Sequence, residues 1–290
     1  MKNVSVVKAA FSTCILFSLL IGAVFLFNIK AIPEYTRLID NGKQIIGSVS
    51  ELELLEKNYL LYLQHDVLDD VEDKIGNMRK TLTFYEKSEF IKKQKLFEFA
   101  AWEEAISLYE RLFDQLMVYH EAVEKNIADI RDLEKNILAV IYSKMNPERG
   151  IIALQEIRLS EKGLIIYRNR PKPKDEHSFE DERKEAVSNL LIWAQHDKRI
   201  GELIEKDNHL FEEILYNFEG QDSTSIKLKR EVEKIKNMAD KFMEEGNKKL
   251  HITYSRCKFL SIILLIMWLV TAIPVAAVRF VDKRGTKEKA

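Results

Sequence analysis

The chain is poor in residues that break helices or staple small folds. Glycine occurs 10 times, proline 5 times and cysteine twice in 290 residues. So few turn formers exclude a sheet-rich fold with many tight hairpins. Both cysteines lie at apolar segments, Cys14 inside the first and Cys257 at the edge of the second. They fall towards opposite faces of a bilayer, which argues against a disulfide between them. The segment between must be held by its core alone. An excess of charge is also missing: 45 basic residues stand against 46 acidic ones, for a net charge of −1. That balance argues against a nucleic-acid partner. There is no glycine-rich phosphate loop and no serine nucleophile elbow. The histidines (His65, His120, His177, His196, His209, His251) are scattered, none at i+3 or i+4 from another and none in a Glu-x-x-His pair. Zinc and di-iron sites need clustered ligands. The sequence therefore predicts no enzyme, no metal and no cofactor.

What the chain does have is two apolar runs, residues 9–29 and 259–278, without a formal charge. Each is about 20 residues long, enough as a helix to cross a ~30 Å hydrocarbon layer. Lys2 and Lys8 precede the first run; Arg279, Lys283, Arg284, Lys287 and Lys289 follow the second. Short basic flanks stay cytoplasmic. The expected topology has residues 1–8 inside, a first span at 9–29, an outer domain at 30–258, a second span at 259–278 and a short inner tail at 279–290. Arg256 and Lys258 are a counter-signal, since they flank the second span on its outer side; long domains translocate largely regardless of charge. The first run is longer than the core of a signal peptide and no small-x-small site follows it, so it reads as a retained anchor.

The outer domain is patterned for helices throughout. Pro33 reads as a first-turn residue of helix one, which runs to about Gln64. Asp66 reads as the N-cap of helix two, to about Lys87. Helix three runs from about Glu89 to Lys144 without Gly or Pro, roughly 80 Å at 1.5 Å per residue. Its apolar seam steps by three and four through Tyr109, Leu112, Leu116, Tyr119, Val123, Ile127, Ile130, Leu133, Ile137 and Ile141. Asn146-Pro147 starts helix four, and Pro171-Lys-Pro173 ends it near Arg170. Ser178 with Asp181 resembles a capping box opening helix five, to about Phe218. Gly220 to Ser225 reads as a turn. Helix six follows, with the seam Leu228, Val232, Ile235, Ala239 and Phe242, and is able to continue into the second span. Trp102 and Trp193 read as core anchors. The fold class is all-α: two transmembrane helices flanking a six-helix outer domain arranged as two stacked four-helix bundles. Helices three and six run through both, because one bundle of ordinary height cannot use the length of helix three.

Residues 51–64 (ELELLEKNYLLYLQ) and 156–169 (EIRLSEKGLIIYRN) align without a gap. Glu51/Glu156, Leu54/Leu159, Glu56/Glu161, Lys57/Lys162 and Tyr62/Tyr167 are identical. One copy falls in each expected bundle, as a duplication would place them.

These segments carry a resemblance to a known family. Leu55-Glu56-Lys57-Asn58-Tyr59-Leu60-Leu61, and more loosely Ser160-Glu161-Lys162-Gly163-Leu164-Ile165-Ile166, resemble the Glu-Lys-Asp-aromatic-Leu-Leu segment of the helical bimodular sensor domain. That family has two stacked four-helix modules between two transmembrane helices. The resemblance implies a bacterial inner-membrane sensor of the chemoreceptor or histidine-kinase type. It implies a homodimer, and either a small organic acid ligand or a periplasmic binding protein as partner. The arginines that precede the first Glu-Lys in dicarboxylate-binding members are replaced here by Glu51 to Leu55, whereas the second copy keeps Arg158. The tail after Val278 contains neither a linker domain nor a kinase, so output requires a cytoplasmic signalling partner, or the chain is a truncated receptor.

An anionic ligand calls for arginine, with tyrosine hydroxyls to orient it. The ligand-binding candidates are Arg158, Lys162, Tyr167 and Arg168 on helix four and Arg37, Tyr59 and Tyr62 on helix one. Each also has a plain reading, with Glu56-Lys57 and Glu161-Lys162 as surface ion pairs and Tyr59 and Tyr62 as bundle-wall aromatics. A second reading of the whole is a two-span scaffold acting by oligomerisation. Such scaffolds carry a Pro/Gly-rich stretch around the second span and mix in strands, and here only Pro274 is present.

Overall fold

The computed structural model describes residues 2–62, 66–94, 98–167, 178–195 and 197–287, and side chains within 12–60, 67–92, 98–166, 178–195 and 197–270. Every element among them is a helix: α1 (Lys2–Tyr62), α2 (Asp66–Lys87), α3 (Glu89–Gln94), α4 (Phe99–Tyr142), α5 (Glu148–Tyr167), α6 (Phe179–Ala194) and α7 (Lys198–Lys287). There is no strand among the described residues. α1 and α7 are both long and apolar enough to cross a membrane. In the isolated chain their apolar side chains are exposed, among them Phe17, Leu20 and Phe27 of α1 and Leu265, Ile266 and Trp268 of α7.

Three expected boundaries are corrected. Pro33 opens no helix, because it lies inside α1. An internal proline costs a helix about 3 kcal/mol. Here the apolar run ahead of it is itself helical, and the buried Tyr35, Leu38 and Ile39 hold the turns behind it. Helix three is interrupted into α3 and α4, the residues between, 95–97, lying outside those described. Packing separates the two pieces: Phe90 meets the Tyr35 ring at 4.9 Å, whereas Trp102 meets Phe242 at 6.4 Å. The third correction concerns the expected turn at 220–225, which is helical. Gly220 lies under Tyr119, where a Cβ would sit 2.6 Å from the ring. That glycine serves close helix approach, and Gln221 and Thr224 are buried beside it. α6 ends instead at Ala194, and α7 begins at Lys198. Gln195 adopts φ 49°, and its N–H donates to the Ile192 carbonyl. Asp197 then caps α7, its Oδ1 accepting from the Arg199 N–H at 2.9 Å. The Pro171–Pro173 stop falls outside the described residues. The Ser178 cap is present, its Oγ accepting from the Asp181 N–H at 3.2 Å.

The chain divides into two compact units, residues 1–108 with 230–290, and residues 109–229. In the first unit α1, α2, the start of α4 and the later part of α7 share one core. Tyr85 of α2 is 1% exposed, and its hydroxyl donates to the Leu38 carbonyl of α1 at 3.3 Å. Its ring meets Phe242 of α7 at 5.1 Å. Arg79 of α2 donates to Glu103 and Ser107 of α4 at 3.2 and 3.1 Å. In the second unit α4, α5, α6 and the start of α7 enclose Ile137, Ile141, Leu154, Ile157, Leu190 and Ile204. Both expected seams face inward: Leu116, Val123, Ile130, Ile137 and Ile141 on α4, and Leu228, Val232, Ile235, Ala239 and Phe242 on α7, are all buried. Trp102 is a core residue as expected. Trp193 is only half-buried; it lies against Gly150 and donates to the Asn146 carbonyl at 3.2 Å.

Asp197 also pairs with Lys144 Nζ at 2.9 Å. That hydrogen bond, with those from the Arg199 and Ile200 amides, outweighs burial and holds its carboxyl at about 2, below the ordinary 3.8. A lowered carboxylate stabilises the fold above the unfolded pKa and loses that effect as pH falls through the folded one. The melting temperature of the wild type is expected to fall more steeply than that of Asp197→Asn between pH 4 and about 2, the two curves converging at the acid end. Parallel curves in a thermal melt would contradict this.

A buried arginine–carboxylate network as the candidate functional site

The helical phase of three elements brings charge into the second unit's core. On α7 the buried positions run Ile200, Ile204, Asp207, Phe211 and Ile214. On α6 they are Arg183, Ala186, Leu190 and Ala194. On α5 Leu154 and Ile157 face inward, and Arg158 and Glu161 flank them. Asp207 is 0% exposed, Glu161 4%, and Arg158 and Arg183 8% each.

The four side chains close on one another. Arg158 donates to Glu161 Oε2 at 2.5 Å and to Asp207 Oδ1 at 2.8 Å. Arg183 donates to Glu161 Oε1 at 2.8 Å and to Asp207 Oδ2 at 3.0 Å. Both carboxylates thus accept from both guanidinium groups, in charge-assisted bonds of the stronger kind. Arg183 also donates to Asn208 Oδ1 at 2.9 Å, and its guanidinium lies 4.4 Å over the Phe211 ring. Glu134 of α4 stands at the rim, 3.6 Å from Arg158 Nε. Burial pushes the Glu161 carboxyl upward, with Arg158 and Arg183 pulling against it. Burial also works against the charge on Arg158, and the two carboxylates more than offset that and raise its pKa.

This arrangement fixes which turn of α5 faces which turn of α6 and α7. Chemically it has no nucleophile, and no group of His, Cys, Asp and Glu suited to a metal occurs among the described residues. The inner charges balance, two positive against two negative, so an incoming anion would have to displace Glu161 or Asp207 from an arginine. A shallow groove between α5 and α6 runs alongside, lined by Glu156, Leu159, Ser160, Glu182, Glu185, Ala186 and Asn189. Its carboxylates favour a cation over an anion.

Among the expected ligand-binding residues whose side chains are described, only Arg158 enters this network. Lys162 is exposed. Tyr167 is the last residue of α5 and Tyr62 the last of α1, and their side chains, with the whole of Arg168, lie outside those described. Arg37 and Tyr59 belong to the first unit. Arg37 is exposed and stacks 4.2 Å over Phe84, while Tyr59 is fully buried. Glu161 and Lys162 form no surface pair, because one faces the core and the other solvent. Sequence reasoning missed Arg183 and Asp207. The available signal was phase: each occupies a core position of an otherwise apolar stripe.

The two aligned segments share their burial pattern. Glu51, Leu54 and Lys57 are exposed in the first, as are Glu156, Leu159 and Lys162 in the second, and Leu52 and Ile157 are both buried. The charge at the key position differs. Where the second segment has Arg158, the first has Glu53, which pairs with Lys236 of α7 at 2.6 Å. The chain matches no protein-family model, no curated protein and no solved structure.

Proposed function

We propose that this chain is a membrane-anchored sensor of the helical bimodular kind. Its two units are two stacked four-helix modules on the outer side of a bacterial inner membrane. Both termini lie in the cytoplasm, and two copies associate. A small molecule or a periplasmic binding protein engages the outer segment and biases two packings of its helices. The difference passes through the membrane as a small piston or rotation to a cytoplasmic partner.

The observation that supports this reading is continuity. α1 and α7 each run without a break from the buried core of the first unit into an apolar run. A shift of the core therefore has to move the segments beyond it, with no loop to absorb the change. The repeated segments, in the same helical phase in each unit, support a two-module design. A scaffold acting by oligomerisation needs no such helical coupling.

The test uses the full-length protein in detergent micelles, melted against small organic acids, amines and amino acids. A ligand that binds only the folded state adds RT ln(1 + [L]/Kd), about 2.7 kcal/mol at 100 times Kd. That amounts to a shift of roughly 5–10 °C for a chain of this size. A saturable shift with one compound class is expected. A panel with no shift, with large closed oligomers by light scattering, would turn the reading to a scaffold.

A further inference from the structure

Within the first unit, α1 and α7 lie side by side, and two glycines fix their register. A Cβ on Gly42 would run into Met243, and one on Gly246 would lie 2.7 Å from Leu38. Residue 42 thus faces 243 and residue 38 faces 246, so the helices are antiparallel. Carried on residue for residue, this register sets Lys30 level with residues 254 and 255. The outer ends of the two apolar runs, Ile29 and Phe259, then fall within about one turn of each other.

Three cations crowd this level: Lys30, Arg256 and Lys258. All three are exposed, and no carboxylate occurs on α7 from Gly246 to Val281. On α1 the only acid within a turn of Lys30 is Glu34. By helix rise, Lys30 and Lys258 stand about 1.5 Å beyond the apolar runs and Arg256 about 4.5 Å. A headgroup layer is about 5–7 Å deep on each side. Tyr254 and Phe259 are 57% and 64% exposed, aromatic anchors of the kind found at that depth. Cations on the outer flank work against the expected topology, and binding anionic headgroups would offset that cost.

We infer that Lys30, Arg256 and Lys258 form a collar that binds the phosphate headgroups of anionic lipids in the outer leaflet. The inference rests on the membrane-spanning reading of α1 and α7. The partner is a lipid surface because the cations are set at the depth of its phosphates. Each such cation contributes about a fivefold preference for anionic lipid.

The full-length protein is reconstituted into phosphatidylcholine vesicles carrying trace spin-labelled phosphatidylglycerol or phosphatidylcholine. The motionally restricted fraction gives the relative association of each lipid. The Lys30→Gln/Arg256→Gln/Lys258→Gln variant is expected to lose at least fivefold of the phosphatidylglycerol preference at low salt. In the wild type, ~0.5 M NaCl is expected to erase most of it. An Arg279→Gln/Lys283→Gln/Arg284→Gln variant, altered beyond the other end of the span, should keep the share carried by the collar. An embedded triple variant with full wild-type preference overturns the headgroup inference alone. A wild-type chain that carbonate wash strips from the vesicles overturns the membrane-spanning reading, and the collar with it.

Discussion

Replacing Asp207 with alanine should lower the unfolding free energy by about 3–5 kcal/mol. Asp207 is fully buried and accepts from both Arg158 and Arg183. Its removal leaves two guanidinium groups facing one carboxylate inside an apolar core, an uncompensated positive charge out of reach of water. Glu161→Gln should cost less. The amide oxygen still accepts from one arginine, and burial already raises the pKa of that carboxyl towards the neutral form. Removing the whole set behaves differently again. Arg158→Met, Glu161→Leu, Arg183→Met and Asp207→Leu together should recover most of the loss from Asp207→Ala, since well-packed apolar groups replace buried ion pairs at little cost. Urea unfolding of the full chain in micelles, followed by circular dichroism, separates the three cases. A loss in the four-site apolar variant as large as that in Asp207→Ala would refute the unbalanced-charge account.

The second large effect is expected at Tyr85. Truncation to alanine should cost about 3–5 kcal/mol, the range for a large buried aromatic. Tyr85 joins three helices of the first unit: its ring meets Phe242 of α7 and its hydroxyl holds the Leu38 carbonyl of α1. Tyr85→Phe keeps the ring and loses only the hydroxyl, so about 0.5–1.5 kcal/mol is expected. Far-UV dichroism on melting gives both numbers. A Phe variant as damaged as the Ala variant would place the stability in the hydroxyl rather than in packing. Burial raises the pKa of this phenol strongly, so the hydroxyl stays protonated and able to donate across the ordinary pH range.

Much of the fold was legible because apolar periodicity survives in long helices. The inward positions of α4 and of the later α7 follow that spacing, and α2 begins at Asp66, the expected cap, and ends at Lys87. The Ser178 cap was equally plain. Local chemistry misled where tertiary packing overruled it. Gly220 to Ser225 has the composition of a turn, but the segment is helical and the Tyr119 ring packs where a Cβ on Gly220 would sit. Asp197 is a good capping residue that the apolar pattern around it hid. The site was legible only in part. Arg158 drew notice as a cation beside a seam, but what it binds could not be read. Arg183 and Asp207 carry charge, and charge by itself reads as solvent-facing. Their burial becomes visible only when α5, α6 and α7 meet, since each cation is buried only because two carboxylates from other turns arrive with it.

α7 has no hinge between Phe242, deep in the first unit's core, and Phe259, where the apolar run begins. A flexible tether would make the spacing between domain and anchor forgiving. Here the spacing is a gear ratio. One residue inserted into that stretch would turn everything beyond it by about 100° and advance it by about 1.5 Å. Cys257 and Thr253, now buried against their neighbours, would swing out of contact, and Arg256 would leave its place beside α1. The length of this segment is therefore as much a determinant of the protein as the identity of any side chain in it.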